Sequence, residues 1–186
     1  MTPEESRPIR LAEYAALRSE ITTFLTLQVQ FIAVSIALAS GLAGLFIAKP
    51  SFEVAAFFPL PFLIFGLLYG DAKARILRAA SYIYHVLRPT LIDPDNKPLD
   101  LGWELFVRKD STLKPFLSWA EKLRWAVFLV PLTVSIIYLI VNRPQPHHYV
   151  VMVLVFAVEL FLLFLLLRVA QELDKYEKNL LDENQQ

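Results

Sequence analysis

Residues 24–48 read FLTLQVQFIAVSIALASGLAGLFIA, twenty-five positions without a charged side chain. About 20 apolar residues in a helix cross the hydrocarbon core of a bilayer, so this stretch reads as a membrane span. Three more runs of the same kind follow: 52–69 (FEVAAFFPLPFLIFGLLY), 125–141 (WAVFLVPLTVSIIYLIV) and 149–167 (YVVMVLVFAVELFLLFLLL). The whole chain agrees with them: of 186 residues 56% are hydrophobic, and the mean hydropathy is +0.48, well above a soluble domain of this size. The polar and amphipathic segment 1–23 precedes the first run, with no short basic leader against it, so this run is expected to be retained as a span and not removed as a signal peptide.

The connections come in two sizes. Residues 49–51 join the first two spans and 142–148 the last two, so each pair is expected to form a tight antiparallel hairpin. The connection between the pairs is long. Sixteen of the eighteen basic residues lie before span one, in that long connection, or after span four, whereas Lys49 and Arg143 stand at the hairpin tips. The positive-inside rule then places both termini and the middle segment in the cytoplasm, with the tips outside. Trp119, Trp125 and Tyr69 fall where an aromatic belt is expected at the cytoplasmic face, Tyr149 and Phe52 at the opposite one.

Helical periodicity continues beyond the spans. Leu11, Tyr14, Leu17, Ile21 and Phe24 form a stripe before span one; Ile76, Ala79, Ala80, Ile83 and Leu87 form one after span two, ended by Pro89; Val169, Leu173, Tyr176 and Leu180 form one after span four. Such stripes need cover, so a cytoplasmic helical bundle continuous with the membrane helices is expected. The fold expected is therefore all-α: a polytopic membrane protein of two transmembrane helical hairpins with helices extended into a cytoplasmic bundle. Its parts are an amphipathic entry helix (1–23), hairpin one (24–70), a cytoplasmic helix and loop (71–124), hairpin two (125–168) and a C-terminal helix (169–186). Pro59, Pro61 and Pro131 are expected to bend or break spans two and three, since proline lacks an amide donor and crowds the preceding turn.

Several function classes fall away. Eighteen acidic residues balance eighteen basic ones, and without a basic surplus duplex DNA is not an expected partner. Cysteine is absent, which removes disulfides, thiolate metal sites and cysteine nucleophiles. Asp93-Pro-Asp95-Asn96 is read as a turn, because a calcium loop needs glycine at its sixth position, where Pro98 stands. His147 and His148 are adjacent, so their side chains diverge and serve one metal poorly. No metal or cofactor is expected, and no hydrolase, zincin or P-loop pattern points to an enzyme.

What remains as candidate chemistry is limited. Glu159 stands mid-span, and an acidic residue there costs on the order of 3 kcal/mol on insertion scales, so it is expected to face a bundle interior or a wet cavity. Two readings stay open: a neutral carboxyl hydrogen-bonded to Thr133, Ser135 or Tyr138 of the neighbouring span, or a carboxylate on an ion or proton pathway with Thr133 and Ser135 beside it. Gln28 and Gln30 read as interhelical or interfacial residues. Ala33, Ala37 and Gly41 in span one, and Gly66 and Gly70 in span two, permit close helix approach, within one chain or between chains. Arg75, Arg78, Tyr82 and His85 share one helix face, with Arg88, Arg108 and Lys109 further along. Guanidinium groups interleaved with an aromatic ring suit a nucleotide or oligonucleotide; equally, such charges set topology and touch anionic headgroups.

The entry segment Glu13-Tyr-Ala-Ala-Leu-Arg-Ser-Glu-Ile21, followed by glutamines and a first span, resembles the N-terminus of small bacterial four-span inner-membrane proteins. In its layout of short spans and cytoplasmic helices the chain also resembles pore-forming membrane effectors of anti-phage defence operons. That resemblance implies an oligomeric ion channel in the bacterial inner membrane, gated from its cytoplasmic helices by a nucleotide, an oligonucleotide or a protein partner. Four short spans enclose little room in one protomer, so conduction is expected to need a homo-oligomer, a tetramer or pentamer. The alternatives are a non-conducting adaptor that recruits a cytoplasmic partner, and a small proton-coupled transporter using Glu159.

Overall fold

The structure is a computed structural model that describes residues 3–48, 51–87, 114–141 and 149–182. All the described elements are helical: α1 (Pro3–Ala48), α2 (Phe52–Phe57), α3 (Leu60–Tyr82) continued by a π-helical turn (Ile83–Leu87), α4 (Lys114–Val141) and α5 (Tyr149–Asp182). Four of the helices are long and apolar enough to cross a membrane, with α2, α3 and the π turn counted as one. The chain is thus a multi-pass helical membrane protein by length and composition. At about 1.5 Å per residue, the 46 residues of α1 and the 34 of α5 reach roughly 69 and 51 Å, against about 30 Å of hydrocarbon. Both helices must project beyond the bilayer.

Three polar devices let these apolar helices form. Hydroxyls that would be orphaned in hydrocarbon bond back to the carbonyl one turn earlier: Thr22 to Arg18, Thr26 to Thr22, Ser35 to Phe31 and Ser40 to Ile36. Ser51 caps α2, its hydroxyl accepting from the Val54 amide at 3.2 Å. The third device, at the break between α2 and α3, belongs to the candidate site below.

Helix α3 is the hub, packed against α1, α4 and α5. Its contacts fix the directions of the others. Phe31 stacks on Phe65, Arg75 lies over Phe24, and Tyr82 meets Glu13, so α1 runs antiparallel to α3. Tyr69 packs its ring on Trp125 and Phe128, and Gly66 lies against Phe128 while Gly70 lies against Trp125, which makes α4 antiparallel as well. Gly66 lies against Leu166 and Gly70 against Val169, so α5 runs parallel to α3. Helices α1 and α3 pack along each other as an antiparallel pair, whereas α4 and α5 run in opposite directions and among the described residues each packs mainly on α3 and little on the other. The reason is the shape of α3, whose Gly66 and Gly70 admit close neighbours on both sides.

These directions bring the start of α1, the end of α3, the start of α4 and the end of α5 to one end of the molecule, with the basic residues Arg10, Arg18, Arg75, Arg78, Lys122, Arg124, Arg168 and Lys175 towards that end. There the stripes of α1 and α3 meet. Ile83 and Leu87 are buried and covered by Tyr14, Leu17 and Ile21 of α1. Leu173 of the α5 stripe is buried too.

The prolines differ in whether they break the helix. The span-two helix breaks at Phe58 and Pro59, as expected, and α3 starts afresh with Pro59 as its cap and Pro61 in its first turn. Pro131 does not break its helix: α4 runs from Lys114 to Val141 through it, and the proline is buried. The Asp93 turn, the His147–His148 pair, Arg88, Arg108 and Lys109 all lie outside the described residues.

Candidate functional site

Proline 59 decides the local chemistry. In an unbroken helix the amide of residue 59 would donate to the carbonyl of Ala55, and proline has no such hydrogen. The Ala55 carbonyl is therefore freed inside an apolar environment, where an unsatisfied carbonyl is costly. Ser135 of α4 supplies the missing donor: its Oγ donates to the Ala55 carbonyl oxygen at 2.6 Å, with both residues buried. Helix pairing on α4 is thus written partly by a proline on its neighbour.

Glu159 lies at the same level. Gly66 of α3 packs on Phe128 of α4 and Leu166 of α5. About two helical turns from that layer, back along α3 and α5 and forward along the antiparallel α4, stand Pro59, Glu159 and Ser135. Glu159 is only 1% exposed, and its Oε1 has no hydrogen-bond partner among the described residues. The buried Val155 and Leu166 flank it along α5. A carboxyl group therefore sits inside the protomer, beside a broken helix, with hydrogen-bonding capacity left over.

This corrects the partners expected for it. Ser135 is spent on the Ala55 carbonyl. Thr133 is exposed, and its hydroxyl bonds back to Leu129 of its own helix at 3.3 Å. Neither forms a hydrogen bond with Glu159, because the carbonyl freed by Pro59 claims the first and the second points out of the bundle.

The small-residue sites also separate. A methyl added at Gly66 would meet Leu166 Cδ1 at 3.1 Å and Phe128 Cβ at 3.2 Å, and one at Gly70 would meet Val169 Cγ1 at 2.7 Å. Those glycines serve contacts within the chain. Ala33, Ala37 and Gly41 are exposed, and a methyl at Gly41 would meet nothing within 4 Å. Gln28 is buried whereas Gln30 is exposed.

The expected common face of Arg75, Arg78, Tyr82 and His85 is divided by the packing of α1 and α5 on either side of α3. Arg75 binds Asp71 at 2.9 Å and lies over the Phe24 ring at 5.5 Å. Tyr82 donates to Glu13 at 2.8 Å, which draws its hydroxyl proton into a carboxylate bond and raises its pKa. His85 sits edge-on to Tyr84 at 5.0 Å. Arg78 instead faces α5 across a cleft shared with Arg168. Arg168 was not among the candidates from sequence, since a single arginine just past a span reads as topology. No group of three or more histidine, aspartate or glutamate side chains suited to a metal occurs among the described residues.

Comparisons with family models, curated proteins and solved structures find no match to this chain.

Proposed function

We propose that this chain is an ion-translocating membrane protein whose working group is the carboxyl of Glu159, with protons as the ion it handles. The observation that carries the reading is the burial of Glu159 with an unpartnered Oε1, level with the Pro59 break. Intramembrane carboxyls are expensive and mark ion or proton routes. Interrupted helices near the midplane are where small carriers bind coupling ions, because broken backbone leaves polar groups available. Since Glu159 faces the protomer interior, each protomer would carry its own path, which favours the small proton-coupled carrier over a central pore lined by this residue. A glutamine would fill the same space and hydrogen-bond equally well; only a carboxyl can gain and lose a proton there.

In this reading the basic helix ends and both termini face the cytoplasm of a bacterial cell membrane, as the charge asymmetry directs. Single cysteines report it directly in a chain that has none: Lys175→Cys is expected to resist a membrane-impermeant maleimide in intact cells, and Ser51→Cys to react. The function itself is tested by flux: liposomes containing the protein are expected to dissipate a pH gradient, and Glu159→Gln to abolish the effect.

A second reading rests on the exposed Ala33, Ala37 and Gly41 face of α1, where a methyl at Gly41 would meet nothing within 4 Å among the described residues. Self-association through that face would build the homo-oligomeric channel, gated through the α1–α3 contacts at the basic end, and would place the architecture with membrane effectors. Mass measurement in detergent separates them: a tetramer or pentamer favours the channel, a monomer or dimer the carrier.

A further inference from the structure

Between α3 and α5, at the basic end, lies a half-open cleft of about 400 Å³. That volume is within the range of small-ligand sites. Its charges are unevenly satisfied. The two carboxylates that line it are each held by a cation on their own helix: Asp71 by Arg75 at 2.9 Å and Glu172 by Lys175 at 3.3 Å. The two arginines that line it are not matched in this way. Arg78 makes no ion pair among the described residues, and Arg168 only rests over the ring of Phe164, at 5.5 Å. Two guanidinium groups from different helices therefore face one cleft with no carboxylate of the described residues bound to either.

Along the helix axis, the deeper end of the cleft is walled by Leu67 and Val169 with the neighbouring Arg168, and its outer end holds Arg78 and Glu172 with Leu77 and Leu173. Beyond the deeper end the surface of the span continues apolar, with Leu68 of α3 and Phe164 and Leu167 of α5 exposed. Phe164 is the ring on which Arg168 rests, so one cation stands at the boundary between the apolar surface and the charged mouth.

We propose that this cleft binds the headgroup phosphate of an anionic phospholipid, with Arg78 and Arg168 as its ligands and the acyl chains lying over the exposed side chains below. Guanidinium groups present paired donors that match phosphate oxygens, and basic pockets between membrane helices take anionic headgroups. A free phosphate would use the arginines and leave the exposed Leu68, Phe164 and Leu167 uncovered. A zwitterionic lipid brings its own cation and would leave the two arginines uncompensated. The inference rests on the chain spanning a membrane; it goes beyond the ion-translocation reading and does not involve Glu159.

The test uses the full chain in a neutral maltoside detergent, with thermal unfolding and native mass spectrometry as readouts. Dioleoyl phosphatidylglycerol is expected to raise the melting temperature and remain bound, whereas dioleoyl phosphatidylcholine and inorganic phosphate at equal concentration do neither. Arg78→Gln and Arg168→Gln are each expected to weaken the apparent affinity for phosphatidylglycerol about tenfold, the loss of a charge-assisted contact. Both side chains are exposed, so the fold should tolerate the changes. The paired variant Arg7→Gln with Lys122→Gln removes two charges from the same end outside the cleft, as the cleft pair Arg78→Gln with Arg168→Gln does within it, and should keep the affinity. The proposal is overturned if phosphatidylcholine stabilises equally, if only inorganic phosphate does, or if the control pair loses binding as much as the cleft pair.

Discussion

Removing the Ser135 hydroxyl is the sharpest probe of how the broken helix is held. In Ser135→Ala the Ala55 carbonyl loses the donor it receives at 2.6 Å, and the proline at 59 leaves it no backbone substitute. Hydrogen bonds between membrane helices average about 0.6 and reach about 1.7 kcal/mol, while a stranded buried carbonyl costs about 1–3 kcal/mol. With both ends of the bond buried, a loss of about 1 kcal/mol is expected. The control is Thr133→Ala on the same helix, whose exposed hydroxyl bonds only to its own helix and whose removal should stay within about 0.5 kcal/mol. The stronger test is a cycle with Pro59→Ala. That change returns an amide to position 59, which can donate to the Ala55 carbonyl, so the Ser135 hydroxyl becomes a spare donor. Ser135→Ala should then cost at most about 0.3 kcal/mol, a coupling near 1 kcal/mol. Reversible unfolding in mixed detergent and dodecyl sulfate micelles measures all four corners. Equal costs of Ser135→Ala in the two backgrounds, or a cost no larger than that of Thr133→Ala, would refute the assignment.

Three other outcomes follow from the same packing. Gly70→Ala forces a methyl to within 2.7 Å of Val169 Cγ1, a stiff branched side chain, so a destabilisation of about 1–3 kcal/mol is expected, whereas Gly41→Ala, opening onto free space, leaves thermal stability in detergent unchanged. Leu87→Ala removes a buried side chain from the contact with Tyr14, Leu17 and Ile21; with about 2–4 kcal/mol lost there, trypsin should cut at Arg10 and Arg18 markedly faster, while the exposed Tyr82→Phe leaves the cutting rate nearly as it was. Glu159→Met replaces a carboxyl with an unpartnered oxygen by an apolar chain of similar volume, and is expected to match or exceed the original in thermal stability, as a residue kept for function at a cost in stability would.

The reach of the sequence was uneven for physical reasons. Apolar runs of bilayer length identify the spans without any tertiary information, and periodicity marks the stripes that hold Leu17, Ile21, Ile83 and Leu87, but which stripe covers which appears only in the packing. Glycines spaced by four mark close approach, yet their spacing is the same at Gly66 and Gly70, which are packed, and at Ala37 and Gly41, which are open. Only the identity of the neighbouring helix distinguishes them. Prolines behave alike: Pro59 breaks a helix and Pro131 does not, because surrounding helices decide whether the lost amide is tolerated. The partner of Ser135 was within reach, since a proline at 59 necessarily frees the carbonyl at 55, but pairing that carbonyl with a particular serine needs the register of α4 on α3. Arg168 was hidden for the same reason: nothing local shows that an arginine after span four shares a cleft with one after span two.

The claim that Glu159 carries the ion is tested most directly by flux in a matched pair of preparations. Wild-type and Glu159→Gln protein are reconstituted into liposomes at equal density, verified by mass, and a pH-sensitive dye trapped inside follows an imposed pH gradient. Wild-type liposomes should collapse the gradient faster than protein-free ones, and Glu159→Gln liposomes should behave as though empty. Equal rates for the wild type and Glu159→Gln, or a wild type no faster than empty liposomes, would contradict the claim.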